Sequence, residues 1–293
     1  MGPRKTPQKT RIDRIKTDKF KDAPPIKGYD LFIRTASGIA IVTCIVGAII
    51  LGGVVWNIAA SLIALRSLWE LYGLLYTKYR LSRGWGITGG TLILLAISVG
   101  LSYAVTLSIM TMVAVLVLFT ETVRRQMTGQ SYALWNIGST ISGLVYVVLP
   151  WSFLILLRSH PLGKQYLLTI FLCTWSCDVG SYLAGTTFGE SPLCDKVSPA
   201  KSWEGFWVGV IASIVCGSLL PVLFDLAPFP LVLLGALCGV AGQLGDLAES
   251  VLKREANVKD TGTLIPGHGG FLDRFDSILI NATLTFFIIE VIG

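Results

Sequence analysis

The chain has 293 residues, 53% hydrophobic and only 14% charged, with a mean hydropathy of +0.67 and a formal net charge of +6. A soluble domain covers its core with an exterior in which roughly a quarter of all residues are charged. Too few charges are present here, which excludes an ordinary water-soluble enzyme and makes the membrane class the starting point.

The first thirty residues contain RKTPQKTRIDRIKTDKFKD and no apolar run, so they read as a basic cytosolic tail and not as a cleaved signal peptide. Their composition predicts a solvated segment, with contact to anionic lipid headgroups as the sharper alternative. Nine apolar segments follow, near residues 33–53, 54–74, 85–101, 102–120, 134–157, 164–188, 203–224, 228–250 and 273–292. Each approaches the roughly 20 helical residues that a bilayer needs. The alternating ten-residue strands of a membrane β-barrel are not found. The expected fold class is all-α: a polytopic integral membrane helical bundle of about nine transmembrane helices. Residues 1–30 form the tail, 31–160 the N-terminal transmembrane helices, and 161–293 a C-terminal transmembrane catalytic region with cytosolic loops 189–202 and 251–276.

Charge sets the orientation. Of the 24 Lys and Arg residues, 22 fall on one side of this arrangement and only Arg158 and Lys164 on the other. Positive loops stay in the cytoplasm, so the N-terminus is expected inside and the C-terminus outside. A bacterial inner membrane, spanned many times, is the expected location. The six cysteines form no C-x-x-C pair and suggest neither zinc nor a disulfide framework. Gly235, Gly239 and Gly242 mark a seam of close helix packing.

Three acids interrupt the apolar pattern: Asp178, Asp246 and Glu249. A carboxylate at mid-bilayer costs about 2.5–3.5 kcal/mol on insertion scales, so it faces a protein interior or a wet cavity. One such acid alone is explained as well by a helix-to-helix hydrogen bond. Asp246, Glu249, Ser250 and Lys253 are harder to dismiss, because their spacing of i, i+3, i+4 and i+7 stacks them on one helical face. Asp273 and Asp276 repeat the i, i+3 spacing at the start of the last segment, where the helix dipole favours acids. Lys253, Arg254, Lys259 and Arg274 supply donors suited to phosphate oxygens. The run Pro266-Gly267-His268-Gly269-Gly270 can curl backbone N–H groups around an anion. A lone histidine is more often structural, and only these neighbours single out His268. Acids, bases and glycines together predict a magnesium–polyphosphate site. The second loop, SPAKSWEGF, offers Ser198, Lys201 and Ser202 as donors to a nucleotide, although Ser202 reads equally as an ordinary helix cap.

Residues 250–276, SVLKREANVKDTGTLIPGHGGFLDRFD, resemble the signature of the CDP-diacylglycerol synthases, also called phosphatidate cytidylyltransferases. That signature runs Ser-x-apolar-Lys-Arg, four residues, Lys-Asp, a Gly-containing turn into His-Gly-Gly, then Asp-Arg-apolar-Asp, and every position conforms. DVGSYLAG, SPAKSWEG and QLGDLAES are similar to three further family motifs. The resemblance covers roughly residue 171 to the C-terminus; the N-terminal half is similar only in being multi-span. It implies a nucleotidyltransferase that joins CTP to phosphatidic acid, giving CDP-diacylglycerol and pyrophosphate in phospholipid biosynthesis. It makes Asp246, Asp273 and Asp276 the carboxylates for Mg2+, with room for a second cation, K+ or another Mg2+. Lys253, Arg254, Lys259, Asp260, His268 and Arg274 complete the implied catalytic group. Ser198, Lys201, Ser202, Trp203, Glu204, Asp178, Glu249, Ser250, Gly269 and Gly270 form the implied substrate-binding group. It also implies a homodimer in the lipid bilayer, and no nucleic-acid partner is expected. Two positions depart from the family pattern: Ala200 stands where a lysine is usual, and Thr186 where a basic residue is frequent. A cation-coupled transporter would also carry intramembrane acids, but it predicts related halves with broken helices, which the sequence lacks. A sister cytidylyltransferase or kinase acting on another lipid is the nearer alternative.

Overall fold

A computed structural model describes residues 28–76, 81–262 and 269–292, those of 28–34 and 291–292 by backbone alone. Nine helices are present among the described residues: α1 (Gly28–Leu51), α2 (Gly53–Tyr76), α3 (Arg83–Ser98), α4 (Tyr103–Thr128), α5 (Ala133–Ser159), α6 (Gly163–Thr187), α7 (Trp203–Phe224), α8 (Pro228–Glu255) and α9 (Leu272–Phe287). Each coincides with one apolar segment of the sequence. Helices α2, α4, α5, α6, α7 and α8 are long and apolar enough to cross a membrane. The described apolar run of α1 is shorter, Thr35–Leu51, and α3 and α9 have 16 residues each. The chain is an all-α, multi-pass membrane protein. Helices suit this setting because every backbone group finds its partner within the segment.

The breaks have local causes. Gly52 and Gly53 both take positive φ, 64° and 50°, and turn α1 directly into α2. Inside α5 a π turn covers Leu144–Val148 and ends two residues before Pro150. A proline ring in a regular helix would meet the carbonyl four residues earlier, here Tyr146, and the wider turn relieves that contact.

The C-terminal helices α6, α7, α8 and α9 pack on one another, and α2, α3, α4 and α5 form a second group. Aromatic contacts join the groups: Trp151 of α5 meets Phe275 of α9 edge-on at 5.2 Å, and Phe153 stacks on Phe286 at 4.5 Å. The glycine seam on α8 serves two neighbours. A Cβ on Gly235 would lie 2.7 Å from the Ser213 carbonyl oxygen of α7, and one on Gly242 would lie 2.8 Å from Asn281 Nδ2 of α9. Buried polar side chains tie the same helices. Asn281 Nδ2 donates to Thr174 Oγ1 (2.8 Å), and Gln243 Nε2 donates to the Phe206 carbonyl (3.0 Å).

One predicted loop contains more order than its sequence suggests. Between α6 and α7 the chain forms an antiparallel hairpin of β1 (Pro192–Cys194) and β2 (Ser198–Ser202). Strands of three and five residues are too short to register as a period-two pattern. The turn ahead of the hairpin is closed by Glu204, whose carboxylate accepts the backbone N–H groups of Glu190 and Ser191, each at 3.2 Å. Ser202 ends the strand and caps α7, its Oγ accepting the Gly205 N–H at 3.1 Å. Replacing Ser202 with Ala is therefore expected to lower stability by about 1 kcal/mol, seen as a lower thermal midpoint of the detergent-solubilised protein. An unchanged midpoint would show that the cap contributes nothing.

Candidate active site

The charged residues gather at one end of the bundle, where the α8 C-terminus, the α9 N-terminus and the hairpin before α7 meet. The face predicted on α8 is formed. Ser250 Oγ donates to Asp246 Oδ1 at 3.4 Å, and Lys253 Nζ donates to Glu249 Oε2 at 2.6 Å. Helix α8 extends through Glu255, so Lys253 and Arg254, read as part of a loop beginning at 251, are helical. Lys253 then crosses to α9 and pairs with Asp273 Oδ1 at 2.8 Å. One ammonium thus bridges two carboxylates whose side chains are 1% and 4% exposed. Glu249 Oε1 is buried without a hydrogen-bond partner among the described residues.

Asp273 organises the entry to α9. The first turn of a helix leaves backbone N–H groups without partners. Asp273 Oδ2 accepts the Gly270 N–H (2.9 Å), the Thr261 N–H (2.9 Å) and the Thr261 hydroxyl (3.0 Å). Gly269 stands at φ 84°, a conformation that side-chain-bearing residues rarely adopt. One turn further, Asp276 is buried and accepts the Ser277 N–H at 2.6 Å. Here α8 touches α9 backbone to backbone: a Cβ on Gly245 would lie 2.8 Å from the Asp276 carbonyl oxygen. Asp246, the next residue on α8, lies within electrostatic reach of Asp276.

The hairpin supplies the third side. Lys201 Nζ pairs with Asp246 Oδ2 at 2.7 Å and lies 3.4 Å from the Gln243 carbonyl. Arg254 Nε donates to the Val197 carbonyl at 3.0 Å, anchoring the hairpin to the end of α8. Ser198 is half-buried at the start of β2, and Trp203 stands 46% exposed at the start of α7. Asp178 of α6 lies within electrostatic reach of Asp276, Asp246, Lys201 and Arg274. Lys259 and Asp260 are exposed on the connection from α8, and Arg274 is exposed on α9. His268 lies outside the described residues.

Glu70 of α2 went unmarked in the sequence. It is 4% exposed, accepts the Leu272 N–H at 3.0 Å and the Thr261 hydroxyl at 3.4 Å on Oε2, and forms an ion pair with Arg66 at 3.1 Å. The rule that singled out Asp178, Asp246 and Glu249 applies to it equally, since LRSLWEL places an acid in an apolar segment with a base four residues earlier. Glu121 of α4 is a further buried acid, held by Asn136 Nδ2 and the Tyr132 N–H, each at 2.8 Å, and by Arg124 at 2.7 Å. Its partners join α4 to α5 away from the cluster.

Among the described residues no three His, Cys, Asp or Glu side chains form a ready metal-ligand group. Asp246 is turned to Lys201, and Asp273 to Lys253 and the loop amides. The donor set nevertheless suits a hard cation. Asp246 and Asp276 lie within electrostatic reach of each other, and Glu249 Oε1, buried with no hydrogen-bond partner among the described residues, belongs to the same acidic cluster. Magnesium is characteristically held by one or two carboxylates together with substrate phosphates.

The pattern of the Cytidylyltransferase family matches residues 32–292, including the N-terminal half that carries no signature. A Staphylococcus saprophyticus protein named phosphatidate cytidylyltransferase is 30% identical over 250 residues, 84% of this chain and 94% of the relative. Proteins of the same name from Bacillus subtilis and Rickettsia bellii are 35% and 36% identical, over 60% and 50% of this chain and 65% and 67% of their own lengths. The helices, the clustered acids and bases, and the match along nearly the whole sequence lead to one assignment: this chain belongs to the cytidylyltransferase family.

Proposed function

We propose that the protein is a CTP:phosphatidate cytidylyltransferase. One observation carries this reading: the Gly245–Asp276 contact and the Lys201–Asp246 pair bring three separate charged motifs into one cluster at the ends of apolar helices. That location suits a reaction between a water-soluble nucleotide and a lipid. An oxygen of the phosphatidate phosphate attacks the α-phosphorus of CTP. The new P–O bond forms as the bond from the α-phosphorus to the β-phosphate oxygen breaks, releasing pyrophosphate and CDP-diacylglycerol. The nucleophile is already anionic, so no strong general base is required. What remains is to align two mutually repelling phosphates and offset their charge.

The bases of the cluster fit that task. Lys201, Lys253, Arg254, Lys259 and Arg274 are the donors for phosphate oxygens, with Ser198, Ser202 and Trp203 around the nucleotide at the start of α7. Lys201 and Lys253 are paired with acids here, so the phosphates would compete for them. Asp246 and Asp276 would hold Mg2+, with Asp273 as the third expected carboxylate. When bound, the ion supplies charge neutralisation at the reacting phosphates. Asp273 meanwhile orders the loop amides, and the hairpin carries Lys201 to its place. The reading extends to nine membrane crossings, a homodimer, and a bacterial inner membrane with the site facing the cytoplasm. The 22 of 24 basic residues expected on that side support the orientation.

The test is incubation of the purified full-length protein with labelled CTP and a panel of lipid phosphates. Pyrophosphate release that depends on phosphatidate is expected. Release with an isoprenoid or archaeal lipid phosphate alone would reassign the substrate, and cation transport without any release would overturn the reading.

A further inference from the structure

We infer that Glu70 is a positioning residue for the reaction: a carboxylate from the N-terminal helices that locks the signature connection against α9. The inference rests on the cytidylyltransferase reading, and it concerns a residue outside every motif that carries that reading.

Glu70 lies near the end of α2, 202 residues from Leu272 and 191 from Thr261 in sequence. Its Oε2 receives the backbone N–H of Leu272, the first residue of α9, in a fully buried position. That N–H belongs to the first helical turn and has no partner within the helix. The same oxygen is within 3.4 Å of the Thr261 hydroxyl, which also contacts Asp273 Oδ2 at 3.0 Å. Glu70 and Asp273 therefore share Thr261, and Asp273 in turn holds Lys253.

The surrounding backbone is shaped to the carboxylate. A Cβ on Gly262 would lie 2.8 Å from Glu70 Oε1, and one on Gly270 would fall on Oε2. Glycines there allow the chain before and after the connection to close over the acid from both sides. Arg66, one turn earlier on α2, pairs with Oε1 at 3.1 Å. A purely structural acid between two transmembrane helices would bind the helices. This one accepts the backbone N–H that opens α9 and the Thr261 hydroxyl on the connection ahead of it.

The Glu70 oxygens are engaged by Arg66, Leu272 and Thr261, so its loss is expected to act on alignment. In Glu70→Ala, kcat should fall about 100-fold while KM for CTP changes less than about threefold. Glu70→Gln keeps a carbonyl acceptor for the Leu272 N–H and should recover most of that loss. The readout independent of activity is amide hydrogen exchange of the full-length protein in detergent. Peptides covering residues 261–262 and 270–273 should exchange faster in Glu70→Ala, with Glu70→Gln close to wild type and α6, α7 and α8 unchanged. Unchanged exchange at those peptides in both variants would overturn the inference. So would a rise spread evenly over α2, α6, α7 and α8, since Glu70 would then support the bundle as a whole. If the wild-type protein failed to release pyrophosphate with CTP and phosphatidate, the reaction assigned above would fall, and the exchange pattern would still decide the role of Glu70.

Discussion

Asp273→Asn is expected to reduce cytidylyl transfer by about 100- to 1,000-fold while leaving expression and membrane insertion near normal. The substitution is almost isosteric, so the loss follows from hydrogen-bond polarity. The carboxylate accepts from Lys253 Nζ, the Thr261 N–H, the Thr261 hydroxyl and the Gly270 N–H. An asparagine amide offers one oxygen and one NH2, so the NH2 must face either the ammonium or the loop amides. In both orientations donor meets donor. The charge that complements the α9 N-terminus is lost as well. Insertion depends on the apolar residues of the helices, which the substitution leaves unchanged, and this is why the protein should still reach the membrane. Conversion of labelled CTP per mole of purified protein, alongside gel filtration and circular dichroism, measures both halves of the expectation. Full activity in the variant would remove any catalytic role for the Asp273 carboxylate.

Lys253→Met should produce the largest loss of stability among single changes in the cluster. The lysine side chain is 14% exposed and bridges two nearly buried acids, Glu249 and Asp273. Removing the cation leaves Glu249 without its partner and Asp273 with the loop donors alone, and breaking a buried pair in this way costs about 3–5 kcal/mol. The double variant Glu249→Gln, Lys253→Met removes one of the stranded charges. It should regain part of the stability without regaining activity, since the phosphate donor remains absent. Thermal unfolding of the single and double variants in one detergent, read as a double-mutant cycle, reports the coupling. A Lys253→Met protein that unfolds at the wild-type temperature would show that the bridge adds nothing to stability.

The helical architecture was legible because lipid imposes one rule on every segment, and apolar length reports it directly. The start of α7 was legible for the same local reason, since Ser202 could be read as a cap from its place before the helix. The face on α8 followed from helical spacing alone, and Ser250–Asp246 and Lys253–Glu249 are the contacts it predicts. The β1–β2 hairpin was not legible. Its order comes from the Glu204 clasp and from Arg254 on the Val197 carbonyl, a contact between residues 57 apart.

By itself, then, the sequence determined the class of molecule, the helical segments and the identity of the charged motifs, because these depend on composition and on spacing within one helix. Only the tertiary structure decided which motifs share a site. It joined Lys201 to Asp246, and Lys253 to Asp273. It also brought Glu70 to the entry of α9 from a half of the chain that carries no signature. The physical reason is that buried charges and helix-end amides must find partners in space, and in a bundle those partners come from whichever helix packs alongside.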